Sequence, residues 1–341
     1  MTAETVHPPA PPVPDHFSGF VVEQVGDSTE QGVRTLAVDD LPAGDVLVRV
    51  DWSAVNYKDG MVAQPGNRVA RISPLIPGVD LVGTVVAGNG YDVGLPVIVH
   101  GYDLGVAHHG GFAEYARVPA DWVVPLPDGL SPRHAAVIGT AGFTAALSLR
   151  RLEIHGLTPD QGPVLVTGAS GGVGSMSVAL LASRGYQVVA STGKDREHGY
   201  LAGLGAGEVI GRELGDDSGR VLGAERWAGA IDCVGGRTLA EVLRSLRYGG
   251  GVAASGLTGG NALETSVYPF IVRGVALLGI DSVQTPIAER RAVWNQLAGA
   301  FAGSLLDDMA AQEIGLEELP AALSAITAGG VRGRVLVRPR S

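Results

Sequence analysis

The chain has 341 residues, more than a single hydrophobic core usually organises, so two domains are expected. Its formal net charge of −10 argues against a general nucleic-acid binder, because neutralising phosphates needs a basic face. A single cysteine, Cys233, excludes an intrachain disulfide and a structural zinc site built from cysteines, and it suits a reducing cytoplasm.

Residues 1–16 are proline-rich, without a basic start or an apolar core, and are expected to form a disordered lead-in rather than a signal peptide. Residues 17–135 read as a β-rich domain. "DVLVRVDWSAV", "DLVGTVVAG" and "GLPVIVHG" are β-branched stretches bounded by glycine or proline, and "FAEYARVPADWVVPLP" adds two short strands. The pattern changes at Ser131, which can cap a helix beginning at Pro132 and running through "AAVIGTAGFTAALSLRRL". From Pro163 strands and helices alternate. "PVLVTG", "YQVVAST", "GEVIG", "AGAIDCVG", "GGVAASGL" and "GVALLGIDSV" are strands, with helices "GGVGSMSVALLAS", "EHGYLAGLGA" and "TLAEVLRSLRYGG" between them. Such alternation means a parallel sheet with right-handed crossovers. The tail holds a helix at "PIAERRAVWNQLAGAF", another around Leu316–Ala328, and a closing strand "GRVLVRP". No run is apolar enough to span a bilayer; the nearest, "FIVRGVALLGI", is broken by Arg273.

"VTGASGGVGS" (Val166–Ser175) matches two motifs. One is a serine nucleophile elbow around Ser170. The other is a dinucleotide cradle in which successive glycines make the turn, admit the pyrophosphate, and let the helix pack on the strand. The elbow needs an acid and then a histidine later in the chain. Only His198 follows Ser170, and it lies just beyond the second strand of the array, so the elbow has no partners. The cradle has its strand–turn–helix context, and Ser170, Gly171, Gly172, Val173 and Gly174 are the expected phosphate-binding residues. The next strand ends in "STGK". A carboxylate there would hold a ribose 2′-hydroxyl; instead the tip carries Ser191, Thr192, Gly193 and Lys194, with Arg212 after the third strand as a second cation. This set suits a 2′-phosphate and predicts NADPH.

The order of these parts, with "VNYKDGM", "PLIPGVDLVGTV", "STGK", "YGGGVAASGLTGG" and "RGVALLGIDSV", resembles the medium-chain dehydrogenase/reductase superfamily. Within it the chain resembles the acryloyl-CoA reductase and NADPH quinone oxidoreductase group. The resemblance implies an α/β fold: a doubly wound parallel Rossmann sheet over 136–286, and a GroES-like catalytic domain over 17–135 and 287–341. It also implies a zinc-free enzyme. Zinc-dependent relatives carry a ligand cysteine in the stretch where this chain has Asn56–Asp59, and Gly-His-Glu where it has Gly78-Val79-Asp80. His100, His108 and His109 read as loop or core histidines.

By the same resemblance Tyr57, expected in a loop after a strand, lies beside the nicotinamide and serves as proton donor or carbonyl hydrogen-bond donor. Leu257, Ile280 and Ser282 lie where related chains contact the cofactor. Asp80 reads as a buried hydrogen-bonding residue, Cys233 as a buried structural thiol, and Arg68 and Arg71 as surface arginines. The expected activity is NADPH-dependent reduction of acryloyl-CoA to propanoyl-CoA. The alternatives are an enone or quinone reductase with the same site and, more distantly, a non-catalytic nucleotide- or RNA-binding protein. A cytoplasmic homodimer paired through the exposed edge of the Rossmann sheet is also expected.

Overall fold

The computed structural model describes residues 13–214, 220–301 and 303–340. The lead-in as far as residue 12 lies outside the described residues. In chain order, β1 (His16–Val25) and β2 (Ser28–Ala37) pair antiparallel. Then come β3 (Val46–Ala54), α1 (Tyr57–Val62), β4 (Asp80–Gly88), β5 (Pro96–His100), β6 (Tyr115–Val118) and β7 (Val124–Pro125). Helix α2 (Pro132–Ile154) follows. The alternating stretch is β8 (Val164–Val166), α3 (Gly172–Ser183), β9 (Val188–Ser191), α4 (His198–Gly203), β10 (Glu208–Ile210) and β11 (Trp227–Asp232). It continues with α5 (Gly236–Ser245), β12 (Leu246–Ala254), α6 (Tyr268–Arg273) and β13 (Ala276–Gly279). The chain closes with α7 (Ile287–Ala298), α8 (Gly303–Met309), β14 (Ala310–Ile314), α9 (Leu319–Thr327) and β15 (Arg334–Val337).

Two compact units emerge. One takes the chain up to Thr140, Val283–Ala298 and the part from Leu306 onward; the other takes Ala141–Ser282 and Gly299–Leu305. The division falls just past a break in α2 at Gly139 (φ 48°, ψ −157°). The helix begins as its sequence dictates: Ser131 Oγ accepts from His134 N at 3.1 Å, with Pro132 as the first helical residue.

The second unit is built on a six-stranded sheet in the order β10-β9-β8-β11-β12-β13, and every pair in it is parallel. Strand β8 is buried along its whole length, which is why "VLV" is a continuous apolar run rather than an alternating one. Leu165, Ala230 and Val252 form its core with Leu239, Val242 and Leu243 of α5. This order reverses direction between β8 and β11, the place where open α/β sheets bind their ligands.

The first unit holds a sheet in the order β14-β15-β3-β4-β5-β7, with β6 added beside β3. Val46, Val48, Val50, Leu81, Val85, Val97 and Val99 fill one of its cores. Phe17, Phe20, Leu75, Phe112, Leu319 and Leu323 belong to another, against the β1–β2 ladder.

Three details differ from the expectation. Tyr57 opens helix α1 rather than standing in a loop. Asn56 N donates to Asp59 Oδ2 at 2.8 Å and closes the first turn, and Gly60 lets α1 lie against α9, where a Cβ would stand 2.6 Å from Thr327 Cγ2. The helix expected to run to Gly250 ends at Ser245, because Leu246 already pairs with Trp227 and a register shift before Gly229 accommodates the early entry into β12. Strand β14, parallel to β15, was not expected at all.

Candidate active site

The turn after β8 shows why each glycine is a glycine. Gly168 sits at φ +59°, a region that residues with a Cβ avoid. A Cβ on Gly174 would lie 2.3 Å from Gly168 O and 2.6 Å from Ala169 Cα, so only glycine lets α3 start this close to β8. Gly171 N donates to Gly168 O and Ser175 N to Gly171 O. The N–H groups of Gly172, Val173 and Gly174 thus form the open first turn of α3, ready for an anion. Ser170 is buried, and its hydroxyl lies 3.1 Å from Thr192 Oγ1, so it links the turn to the tip of β9 rather than standing as a nucleophile. The cradle therefore fits a dinucleotide pyrophosphate in both shape and donor set.

The β9 tip is cationic. A Cβ on Gly193 would come within 1.8 Å of Arg212 Nε, so the Arg212 side chain lies directly across that glycine. Partial burial holds the Lys194 ammonium below the usual lysine pKa; Glu197 pulls the other way, and Arg196 and Arg212 add like-charge repulsion. These cations gather at the end of β9. The two tip hydroxyls also bond within the protein. Ser191 donates to Gly211 O at 2.9 Å and ties β9 to the residue before Arg212. Thr192 Oγ1 accepts from Lys194 N at 3.2 Å. Both shape the tip, and the charge belongs to Lys194 and Arg212; Arg196 beside them is ion-paired with Glu197 at 3.1 Å.

The loops after β11 and β12 complete this edge. Asp232 is buried, accepts from Thr167 Oγ1 (2.6 Å) and Gly235 N (2.7 Å), and so joins the loops after β8 and β11. Burial raises its pKa. A Cβ on Gly256 would meet Cys233 O at 2.0 Å, so the β12 loop crosses the β11 loop backbone to backbone. Desolvation pushes the half-buried Cys233 thiol up to about 12, which leaves it without thiolate character. Leu257 is 50% exposed just beyond this crossing. Ile280 N donates to Ala254 O at 3.0 Å, which extends β13 beside β12, and half-buried Ser282 follows.

In the first unit, Tyr57 and Lys58 are half-buried on α1 while Asp59 turns fully inward. Asp59 accepts from Gly78 N (3.1 Å), Val79 N (3.0 Å) and Asn56 N (2.8 Å). Burial raises its carboxyl to about 7, with a further push from Asp80 and opposition from the backbone donors. Asp80 is also buried and accepts from Asn56 Nδ2 (2.8 Å), Thr140 N (2.8 Å), Thr140 Oγ1 (2.6 Å) and Arg334 Nη2 (3.1 Å). Arg334 further donates to Asn56 Oδ1, Val55 O and Val137 O. Asn56, Asp59, Asp80 and Arg334 are thus tied into one hydrogen-bonded and ion-paired network at the start of α1, next to Tyr57. Among the described residues no group of three or more His, Cys, Asp or Glu is placed to hold a metal ion. Sequence reading missed Asp59 and Arg334. Asp59 stood inside a quoted motif, whereas Arg334 carried no local signal. Arg71 is ion-paired with Asp103.

Comparison with known proteins agrees with these parts. Residues 42–128 match the model for the alcohol dehydrogenase GroES-like domain, and residues 172–299 match the model named zinc-binding dehydrogenase. The chain is 48% identical over 325 residues to a putative quinone oxidoreductase, YhfP, of Bacillus subtilis, covering 94% of this chain and 98% of that one. It is 46% identical over 326 residues to the acrylyl-CoA reductase AcuI of Ruegeria pomeroyi, covering 94% and 98%. The solved yhdH oxidoreductase of Salmonella enterica in complex with NADP superposes with a TM-score of 0.92 at 47% identity, covering 95% of this chain and 100% of that one. Bacillus subtilis yhfP with NAD bound gives 0.91 at 48%, covering 95% and 99%. The chain belongs to the medium-chain dehydrogenase/reductase superfamily, in its zinc-free group of acryloyl-CoA reductases and related quinone oxidoreductases.

Proposed function

We propose that this protein uses NADPH to reduce the activated C=C bond of acryloyl-CoA, giving propanoyl-CoA. The observation that carries the cofactor half is the β9 tip, where Lys194 and Arg212 stand in place of a ribose-binding carboxylate. Gly172, Val173 and Gly174 offer backbone N–H groups to the pyrophosphate beside Gly171, whose own N–H closes the turn onto Gly168 O, and Leu257, Ile280 and Ser282 line the nicotinamide half. Bound NADPH supplies a hydride to the β-carbon of the alkene. Tyr57, held by the Asn56–Asp80–Arg334 network, donates a hydrogen bond to the thioester carbonyl as negative charge develops there; a proton reaches the α-carbon from its hydroxyl or from water. The 46% identity to an acrylyl-CoA reductase supports the thioester, and the 48% identity to a putative quinone oxidoreductase keeps an enone or quinone as the second reading. NADPH oxidation measured side by side with acryloyl-CoA, a short enone and a quinone separates the two. Turnover of quinone alone overturns the thioester reading, and no turnover of any overturns the enzyme.

The β13 edge and the neighbouring α6 expose Leu277, Tyr268, Ile271 and Val272, and we propose that a second copy covers them in a homodimer. Light scattering of the purified protein should give twice the mass of one chain, and a single-chain mass overturns this. Among the described residues no helix is long and apolar enough to cross a membrane. The reading places the enzyme in the cytoplasm, without a nucleic-acid partner.

A further inference from the structure

Val283 follows Ser282 directly in the chain, and the segment Val283–Thr285 is gripped within the first unit by two residues, Tyr102 through its backbone and side chain and Arg290 through its side chain. Tyr102 N donates to Val283 O at 2.8 Å, and Tyr102 Oη donates to Thr285 O at 3.2 Å. Arg290 Nη2 donates to the same two carbonyls, at 3.1 Å and 3.4 Å. The Arg290 guanidinium lies 4.6 Å over the Tyr102 ring, and that ring stacks on Trp122 with centroids 5.4 Å apart. His100 adjoins Arg290 Nη1 at 2.9 Å and accepts from Trp294 Nε1 at 2.8 Å; burial and the Arg290 charge hold its imidazole neutral.

This grip carries two costs. Tyr102 stands at φ +50°, the one non-glycine with a positive φ among the described residues. Such strain persists only where the surroundings over-determine it. Arg290 is a fully buried cation, and desolvating a charge is expensive. Gly101 completes the arrangement: a Cβ there would stand 2.8 Å from Arg290 Nη2 and 2.9 Å from Val283 O. Joining β13 to α7 requires neither the strained tyrosine nor the buried arginine, since a plain loop spans such a connection.

We infer that Tyr102 and Arg290 are positioning residues for the nicotinamide half of the cofactor. They fix Val283–Thr285 and, through the continuous chain, the backbone of Ile280–Ser282. The inference rests on the NADPH reading and extends it to residues that do not touch the cofactor.

Dissociation constants for NADPH and for adenosine 2′,5′-bisphosphate, measured calorimetrically on the full chain, test it. The bisphosphate keeps the 2′-phosphate and lacks the nicotinamide. Tyr102→Ala should weaken NADPH about tenfold and leave the bisphosphate within about twofold. Tyr102→Phe, which loses one hydrogen bond and keeps the ring, should fall between wild type and Tyr102→Ala. Arg290→Met should show the same split in its folded fraction. Equal weakening of both ligands, or no change in either, overturns the inference. A wild-type chain that binds neither ligand overturns the NADPH reading itself and the inference with it.

Discussion

Replacing Lys194 with alanine isolates the charge proposed to choose the cofactor. The ammonium is partly buried, and Arg196 and Arg212 add a like-charge repulsion that Glu197 opposes. A 2′-phosphate would relieve it and add a charge-assisted hydrogen bond, of about 1.5–3 kcal/mol. Because Lys194 is only half-buried, solvent screening argues for the lower end. A loss of about 1.5–2 kcal/mol is roughly a 10- to 30-fold weaker NADPH dissociation constant. NADH has no 2′-phosphate and should lose less than about twofold. Fluorescence titration of both cofactors against wild type and Lys194→Ala, at low and high salt, reads the difference. The wild-type preference for NADPH should shrink with salt, and the variant's should shrink less. Equal losses for the two cofactors, or none for either, would refute the 2′-phosphate role.

Gly174→Ala forces a methyl to within 2.3 Å of Gly168 O, where only backbone can yield. It should cost roughly 1–3 kcal/mol of stability and open the cradle, seen as a lowered Tm and lost NADPH binding. Tyr57→Phe should lower kcat on the order of 100-fold with the NADPH dissociation constant unchanged; an unchanged kcat would remove the hydroxyl from the reaction. Asp59 should make folding pH-dependent. Its carboxyl rises from 3.8 to about 7 on folding, so the native state holds the proton more tightly than the unfolded chain. That contribution is complete below about pH 4 and is lost as pH rises through about 7, up to roughly 4 kcal/mol. Urea unfolding between pH 4 and 8 should show this decline, and Asp59→Asn should flatten it.

The features legible in the sequence are those written in neighbouring residues. The Gly168–Gly174 turn, the acid-free tip at Lys194 and the fully apolar β8 each declare themselves within a few positions. Helix α1 does not: six residues that include Gly60 show no period, and the helix exists because Asp59 closes its first turn and Gly60 admits α9. Strand β14, "AAQEI", has little β propensity and forms only because β15 offers it an edge. The side-chain networks are the least legible. Arg334 meets Asp80 across 254 positions, and Arg290 meets His100 across 190, so no local pattern announces either pair. At Ser191 and Thr192 the motif is readable, but the bonds their hydroxyls make to the protein's own backbone at Gly211 and Lys194 are not.

The most direct test of the central claim is to follow the hydride. Acryloyl-CoA is incubated with the enzyme and NADPH deuterated at the transferable C4 position, and the product is examined by mass spectrometry and NMR. Propanoyl-CoA with one deuterium on the β-carbon and a solvent-derived proton on the α-carbon is the expected product. Unchanged acryloyl-CoA, or deuterium on the α-carbon, would contradict the central claim.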